Sequence, residues 1–169
     1  MNDYENVKYA ADVGKSLIKN SPLGVELSDE QQKALAEIIR VAGLKAGEFL
    51  LQEGAVDDSL HVLVSGRMEV VKSDQGGEYV TLHVLQPGDL AGELGFIDGQ
   101  PHSAGLRAIT DCEVFNIHRK EFDTLVEKEP DLVYKVMRAI VRTVHKIVCS
   151  MNFQHAQLTD YIARQHGRY

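Results

Sequence analysis

At 169 residues, with 44% hydrophobic and 25% charged side chains, the chain has the size and composition of one globular domain with helical additions. Its longest apolar runs are too short to span a membrane, and no charged-then-apolar leader opens the sequence, which predicts a cytoplasmic protein without membrane attachment. The two cysteines, Cys112 and Cys149, have neither metal-ligand nor redox-motif spacing.

The net charge of −7 is unevenly distributed. Residues 134–169 carry six basic side chains and one aspartate, which gives +5 and leaves −12 on the first 133 residues. A basic arm can bind nucleic acid, but these basic residues are spread along a predicted helix rather than clustered. The pattern therefore favours a helix that lies on an acidic protein surface, including a surface of the same chain.

Residues 1–40 are predicted to be helical. Apolar residues recur near helical spacing between Asn2 and Asn20, and Ser21-Pro22 ends that helix. Ser28 and Gln31 form a capping box, in which each residue satisfies a free amide of the other. The helix that they begin is predicted to run to about Arg40. The side chains expected to face inward are Leu35, Ile38 and Ile39.

Residues 41–128 show the pattern of a small β-sandwich or barrel, because short apolar segments alternate there with glycines. Gly76-Gly77 lies between two such segments and indicates a hairpin. Helical propensity returns at Lys120–Glu127. The predicted strands are Leu60–Val64, Met68–Lys72, Tyr79–Leu85, Leu106–Ile109 and Glu113–Ile117.

Residues 129–169 are predicted to form one helix that runs uninterrupted from Pro130 to about Gln165. Apolar residues alternate there by four and three positions, with Gln154 as a polar interruption, which is the spacing of a heptad seam. The seam predicts a homodimer through this helix, and the alternative is that the same stripe packs on the β-domain. The residues predicted for the dimer interface are Ile140, Val144, Ile147, Met151 and Leu158.

Two segments between Lys45 and Pro130 carry a resemblance to a known family. The first comprises AGEFLLQEG at 46–54 and LHVLVSGRMEV at 60–70, and the second is LQPGDLAGELGFI at 85–97. They resemble the cyclic-nucleotide-binding domain of the catabolite-activator and kinase-regulatory-subunit superfamily. The resemblance implies a mainly β fold with flanking helices, in which a double-stranded β-helix (jelly roll) is followed by a long C-terminal dimerisation helix.

The resemblance also implies where a ligand binds. A cyclic phosphate needs backbone amides that approach closely, which glycines allow, and the start of a short helix offers such amides. Glu93 would accept a hydrogen bond from the ribose 2′-hydroxyl. The candidate ligands are cAMP, cGMP, another nucleotide or a small anion. The candidate ligand-binding residues are Gly92, Glu93, Leu94, Gly95, His102, Ser103 and Ala104.

The sequence departs from the family pattern at His102. Family members that bind cyclic nucleotides usually have Pro-Arg where this chain has Pro101-His102. A charge-assisted hydrogen bond contributes about 1.5–3 kcal/mol, so its loss should weaken phosphate binding about ten- to a hundredfold or more. Ile147 and Val148 also stand where dimeric relatives have hydroxylated side chains that reach the purine. Three explanations remain open: a vestigial pocket, a different ligand, or a contact restored when His102 is protonated.

The predicted function is regulatory and not enzymatic. The sequence has no His-x-His metal pair and no nucleophile-and-base arrangement, so neither a metal site nor a catalytic residue is predicted. The chain ends at Tyr169 without a helix-turn-helix, so no sequence-specific DNA binding is expected. A protein partner is possible, and the runner-up function is a dimeric interaction scaffold that binds no nucleotide.

Overall fold

Two four-stranded antiparallel sheets form the centre of the computed structural model, which describes residues 11–166 and the side chains of residues 12–164. One sheet has the strand order β1-β8-β3-β6 and the other has the order β2-β7-β4-β5. This alternation of strands between facing sheets confirms the predicted jelly roll. The strands are β1 (Ile39–Leu44), β2 (Phe49–Leu51), β3 (Ser59–Ser65), β4 (Met68–Ser73), β5 (Tyr79–Leu85), β6 (Leu90–Ala91), β7 (Gly105–Ala108) and β8 (Cys112–His118).

The predicted strands of the roll agree with the structure to within one or two residues. Tyr79–Leu85 has the predicted bounds, and it pairs with β4 through the predicted hairpin at Gly76-Gly77. The amide of Asp74 donates to the carbonyl of Glu78 across that turn. Segments of strong β-propensity that lie between glycines were therefore sufficient to predict these strands.

The two N-terminal helices are α1 (Ala11–Lys19) and α2 (Asp29–Ala36), with a 3-10 turn at Pro22–Gly24 between them. The part of the first predicted helix that precedes residue 11 lies outside the described residues. The capping box is present, since Gln31 donates its amide to the Ser28 hydroxyl and accepts from the Ser28 amide.

The predicted end of the second helix at Arg40 is wrong. The helix stops at Ala36, and Ile39 already begins β1, where it pairs with Ile117 of β8. Ile39 is buried as expected, but it is buried as a strand residue. Its pairing partner lies 78 positions away, so the helical periodicity around Ile38 and Ile39 gave no sign of it.

Three helices follow the roll, and the last is very long. They are α4 (Arg119–Asp123), α5 (Leu125–Lys128) and α6 (Pro130–His166), while α3 (Glu93–Asp98) lies between β6 and β7. The predicted single helix at Lys120–Glu127 is thus two short helices joined at Thr124. The long C-terminal helix is confirmed. Among the described residues no helix is both long and apolar enough to cross a membrane.

The first part of α6 belongs to the core of the same chain. Leu132, Val136 and Ile140 are each 0% exposed and lie in one cluster with residues of α1, α2 and the first sheet. Val144 packs against the edge of that cluster. The prediction that Ile140 lies in a dimer interface is therefore wrong, because its side chain has no surface left to offer to a partner.

Part of the basic charge of α6 is neutralised within the chain, as the charge distribution predicted. Arg138 and Arg142 both pair with Glu26, which lies just before α2. Lys135 pairs with Asp131 at 2.7 Å and donates to Gln31. Acidic and polar groups of the N-terminal segment thus hold α6 where it leaves the roll. From His145 to Arg164 every side chain of α6 is exposed.

Candidate ligand-binding site

The segment from Gly92 to His102 is held close to the strands beneath it by two glycines. Gly92 precedes α3 with φ +79°, and a Cβ there would lie 2.8 Å from the carbonyl oxygen of Ser59. A Cβ on Gly95 would lie 2.7 Å from Cε1 of His102. Any larger residue at these positions would push the segment away from its neighbours. The helix that Gly92 precedes, α3, is the short helix predicted near this glycine.

Glu93 begins α3 with its side chain only 9% exposed. Burial raises the pKa of the Glu93 carboxyl above 4.5, and the hydrogen bond from its own backbone amide and the charge of His61 only partly oppose this. The carboxyl group is thus largely shielded from bulk water. The resemblance implies that this residue contacts a ribose.

We expect Glu93→Gln to stabilise the ligand-free chain more at pH 7 than at pH 4. The folded-state pKa of Glu93 is raised, so the stability that its neutral form contributes is present below about 4.5 and is lost as the pH rises through the raised pKa. Urea unfolding of both proteins at the two pH values measures the difference. Glu127→Gln, on the exposed face of α5, is the control and should show no such pH dependence. A Glu93→Gln chain no more stable than the wild type at pH 7 would contradict the prediction.

His102 is fixed by the loop between β2 and β3. Its amide donates to the carbonyl of Ala55 at 2.9 Å, and its carbonyl accepts from the amide of Gly54 at 2.8 Å. Its ring Nε2 lies 3.2 Å from the carbonyl oxygen of Asp57, and the ring rests against Gly95. The imidazole at the position where relatives have arginine is therefore half-buried and held in one orientation.

Asp57 and His61 form a second part of this site, which the sequence did not reveal. His61 is 4% exposed, and its Nε2 lies 3.2 Å from Oδ2 of Asp57, while its buried Nδ1 has no hydrogen-bond partner. Burial acts to raise the pKa of Asp57, but hydrogen bonds from His61 and Ser59 outweigh it and hold the pKa below the ordinary 3.8. A loop aspartate and a strand histidine form no recognisable local motif, so the sequence did not indicate that these two residues belong to a site.

The remaining predicted site residues lie at the rim. Ser103 is exposed, Ala104 is half-buried, and Leu94 points outward with 62% of its surface exposed. Lys72 of β4 reaches this rim, where its Nζ donates to the carbonyl of Ser103 and to Glu53, both at 2.8 Å. The hydrogen bonds that Glu53 accepts from Lys72 and Ser73 lower the pKa of its carboxyl to about 2. A cation thus lies beside Ser103, although it was not predicted.

Arg107 cannot take the place of the absent arginine. Its guanidinium pairs with Glu69 at 2.7 Å and lies 5.7 Å and 5.4 Å from the ring centres of Phe49 and Tyr79. The Glu69 carboxylate and the two rings hold it on β7. The side chain is only partly exposed, so it is engaged within its own sheet rather than pointing freely to solvent.

The site and the fold together agree with one protein family. The family model of the cyclic nucleotide-binding domain matches residues 42–129, which is more than half of the chain. The chain belongs to the cyclic nucleotide-binding domain family. The match covers the roll, α3 and the segment that contains His102, so the departure at His102 lies inside the family's own region.

Curated relatives match this chain over only part of their own length. An uncharacterized NTE family protein of Mycobacterium tuberculosis is 30% identical over 132 residues, which are 78% of this chain and 22% of that protein. The cAMP-activated global transcriptional regulator CRP of Salmonella typhimurium is 36% identical over 94 residues, which are 55% of this chain and 45% of that protein. The chain therefore spans less than half the length of these relatives.

Solved structures show the same fold over more of the chain. A cyclic nucleotide-binding domain from Methylobacillus flagellatus superimposes with a TM-score of 0.74 at 21% identity, covering 86% of this chain and 82% of that one. At this identity the likeness establishes the cyclic nucleotide-binding fold.

Proposed function

We propose that this chain is a cytoplasmic, non-enzymatic regulatory module that senses a small anionic ligand and binds cyclic nucleotides weakly at neutral pH. The observation that carries the proposal is His102, which stands at the arginine position with its ring held against Gly95 and the Asp57 carbonyl. Arginine offers five donors and a permanent charge, whereas a neutral imidazole offers one donor. At His102 that donor already faces Asp57.

Features that favour a ligand remain around this position. Glu93 is buried at the start of α3, and Lys72 contributes a positive charge beside Ser103. Glu53 neutralises part of that charge at 2.8 Å, so Lys72 replaces only part of what an arginine would supply. We therefore expect a site that still attracts a phosphate-containing ligand but holds it less firmly.

Calorimetric titration of cAMP and of cGMP into the purified protein at pH 7.5 tests the proposal. We expect dissociation constants weaker than micromolar, because at least one charge-assisted hydrogen bond is absent. His102→Arg is the matched variant and should bind at least tenfold more tightly. A micromolar or tighter constant for the wild type would show that the binding is not weakened. Absence of binding in both proteins would remove cyclic nucleotides as ligands of this site.

We also propose that the chain forms a homodimer through the outer part of α6. Ile147, Met151 and Leu158 lie on one stripe of the helix and are 43%, 61% and 57% exposed. Apolar side chains at heptad spacing on the exposed part of α6 favour a partner helix that covers them. Val144 stands at the boundary, where the stripe leaves the core of the chain.

A dimeric interaction scaffold without ligand is the second candidate function. The exposed apolar stripe of α6 favours it, together with Ile147 and Val148 at positions where the resemblance implies contacts to a purine. Thermal unfolding separates the two functions, because only a ligand that binds the folded state raises the melting temperature. A rise with cAMP or cGMP that grows with nucleotide concentration supports the sensor, and its absence at millimolar concentration supports the scaffold.

A further inference from the structure

Asp57 contacts both histidines of the candidate site. Its carboxylate accepts from Nε2 of His61 and from the amide of Ser59, and its carbonyl oxygen lies 3.2 Å from Nε2 of His102. One residue of the β2–β3 loop therefore sets the orientation of two imidazoles. The contact to His102 comes from the backbone, so it does not depend on the state of the carboxylate.

The contact to Asp57 determines which nitrogen of His102 carries a proton. A carbonyl oxygen can only accept, so Nε2 must be the protonated nitrogen. In the neutral ring, Nδ1 then carries a lone pair, which repels the oxygen of an anionic ligand. Only the imidazolium form presents an N–H at Nδ1. Neutral His102 thus cannot donate to a phosphate, whereas protonated His102 donates with a full charge.

The charged groups around His102 come from every element packed against it. The β2–β3 loop contributes Asp57 and Asp58, α3 contributes Glu93, and β3 contributes the buried His61. Asp58 lies 3.9 Å from both His118 and Arg119, and Lys72 of β4 approaches through the carbonyl of Ser103 while bonded to Glu53. Among the described residues, neither Asp57 nor Glu93 forms an ion pair with a lysine or arginine. A proton on His102 would offset these negative charges, which otherwise repel an incoming anion.

We propose that Asp57 acts as a positioning residue that leaves only Nδ1 of His102 for the ligand, so that a phosphate-containing ligand binds with uptake of one proton. The inference rests on the proposed ligand-binding function and adds a specific chemical requirement to it. Binding then strengthens as the pH falls, and the site responds to ligand and proton together. The protein senses a combination of the two rather than the nucleotide alone.

Calorimetric titration of cAMP between pH 6 and pH 8, repeated in buffers of different ionisation enthalpy, tests the proposal. Coupling to one proton changes the dissociation constant by at most about tenfold per pH unit. We expect binding at pH 6 to be at least tenfold tighter than at pH 8, with close to one proton taken up per cAMP at pH 8. A merely structural histidine would not produce this proton count.

Three variants assign the proton to one ring. His102→Arg should bind tightly at both pH values without proton uptake at this position, and His102→Gln should bind weakly at both. His83→Gln removes an exposed imidazole on β5 that is not part of the site and should keep the pH slope. A slope retained in His102→Gln or lost in His83→Gln would overturn the assignment. If His102→Arg binds but the wild-type affinity does not change with pH, the proton coupling is wrong and the ligand site stands. If neither protein binds cAMP at any pH, the proton coupling and the ligand-binding function are both wrong.

A measurement without ligand tests the orientation of the ring directly. Long-range proton–nitrogen spectra at pH 8 distinguish the two neutral tautomers of a histidine. We expect the His102 ring to carry its proton on Nε2, as the contact to Asp57 requires. A proton found on Nδ1 would contradict the proposal, because the neutral ring could then donate to the ligand.

Discussion

Replacing Ile140 with alanine is expected to lower the free energy of unfolding by about 2–5 kcal/mol, the range for an isoleucine truncated inside a packed core. The Ile140 side chain is 0% exposed and lies in the cluster that joins α1, α2, the first sheet and α6. Its truncation leaves a cavity between α6 and the elements packed against it. Urea unfolding followed by circular dichroism measures the change.

Val141→Ala is the matched control for this prediction. Val141 follows Ile140 on the same helix but is 60% exposed, so its truncation should change the stability by no more than about 0.5 kcal/mol. The two variants differ in burial and hardly in helical position. If Ile140→Ala were no more destabilising than Val141→Ala, the base of α6 would not be packed against the roll as the structure shows.

Replacing Met151 with aspartate is expected to convert a homodimer to a monomer. In a two-fold dimer the change places two unpaired carboxylates in an apolar seam, and each costs about 2 kcal/mol or more. The dissociation constant should therefore rise about a thousandfold or more. Light scattering during size-exclusion chromatography should give 18.8 kDa for the variant and about twice this mass for the wild type.

Asn152→Asp tests whether the effect depends on the seam. It introduces the same carboxylate one position along α6, on the side of the helix that faces away from the predicted seam, and should leave the mass unchanged. A wild-type chain that is already monomeric at micromolar concentration would contradict the dimer itself. A dimer that survives Met151→Asp would show that a different surface holds the two copies together.

The roll was predictable because its signals are local. Strand segments such as Tyr79–Leu85 combine strong β-propensity with glycine-rich turns, and the structure places that strand at the predicted residues. The long helix was predictable for a similar reason, since no breaker occurs between Pro130 and His166. In both places local conformational preference and final structure agree, so the chain needed no distant contact to specify the element.

The errors arose where a distant partner decides the outcome. Ile39 has helical neighbours in sequence, yet pairing with Ile117 makes it a strand residue. Ile140 fits a heptad seam, yet the N-terminal helices bury it. A periodic stripe shows which face of a helix is apolar, but it does not show whether the same chain or a partner covers that face.

The candidate site also depends on contacts between distant residues, which the sequence does not reveal. The segment from Gly92 to Ala104 was located from its motif, and Gly92, Gly95 and His102 do lie together. The role of Asp57 was not visible, because it depends on a backbone carbonyl that meets a side chain 45 positions later. Lys72 likewise reaches Ser103 only because β4 pairs with β7.

The continuity of α6 gives the chain a means of amplifying small movements. Residues 145–166 extend about 33 Å beyond the last core contact, at a rise of about 1.5 Å per residue. A tilt of about ten degrees at the base would displace the far end by about 6 Å. Arg138 and Arg142, which both pair with Glu26, lie just before this exposed part of α6. A small rotation of α6 at its base is therefore enough to move whatever the tip of the helix touches.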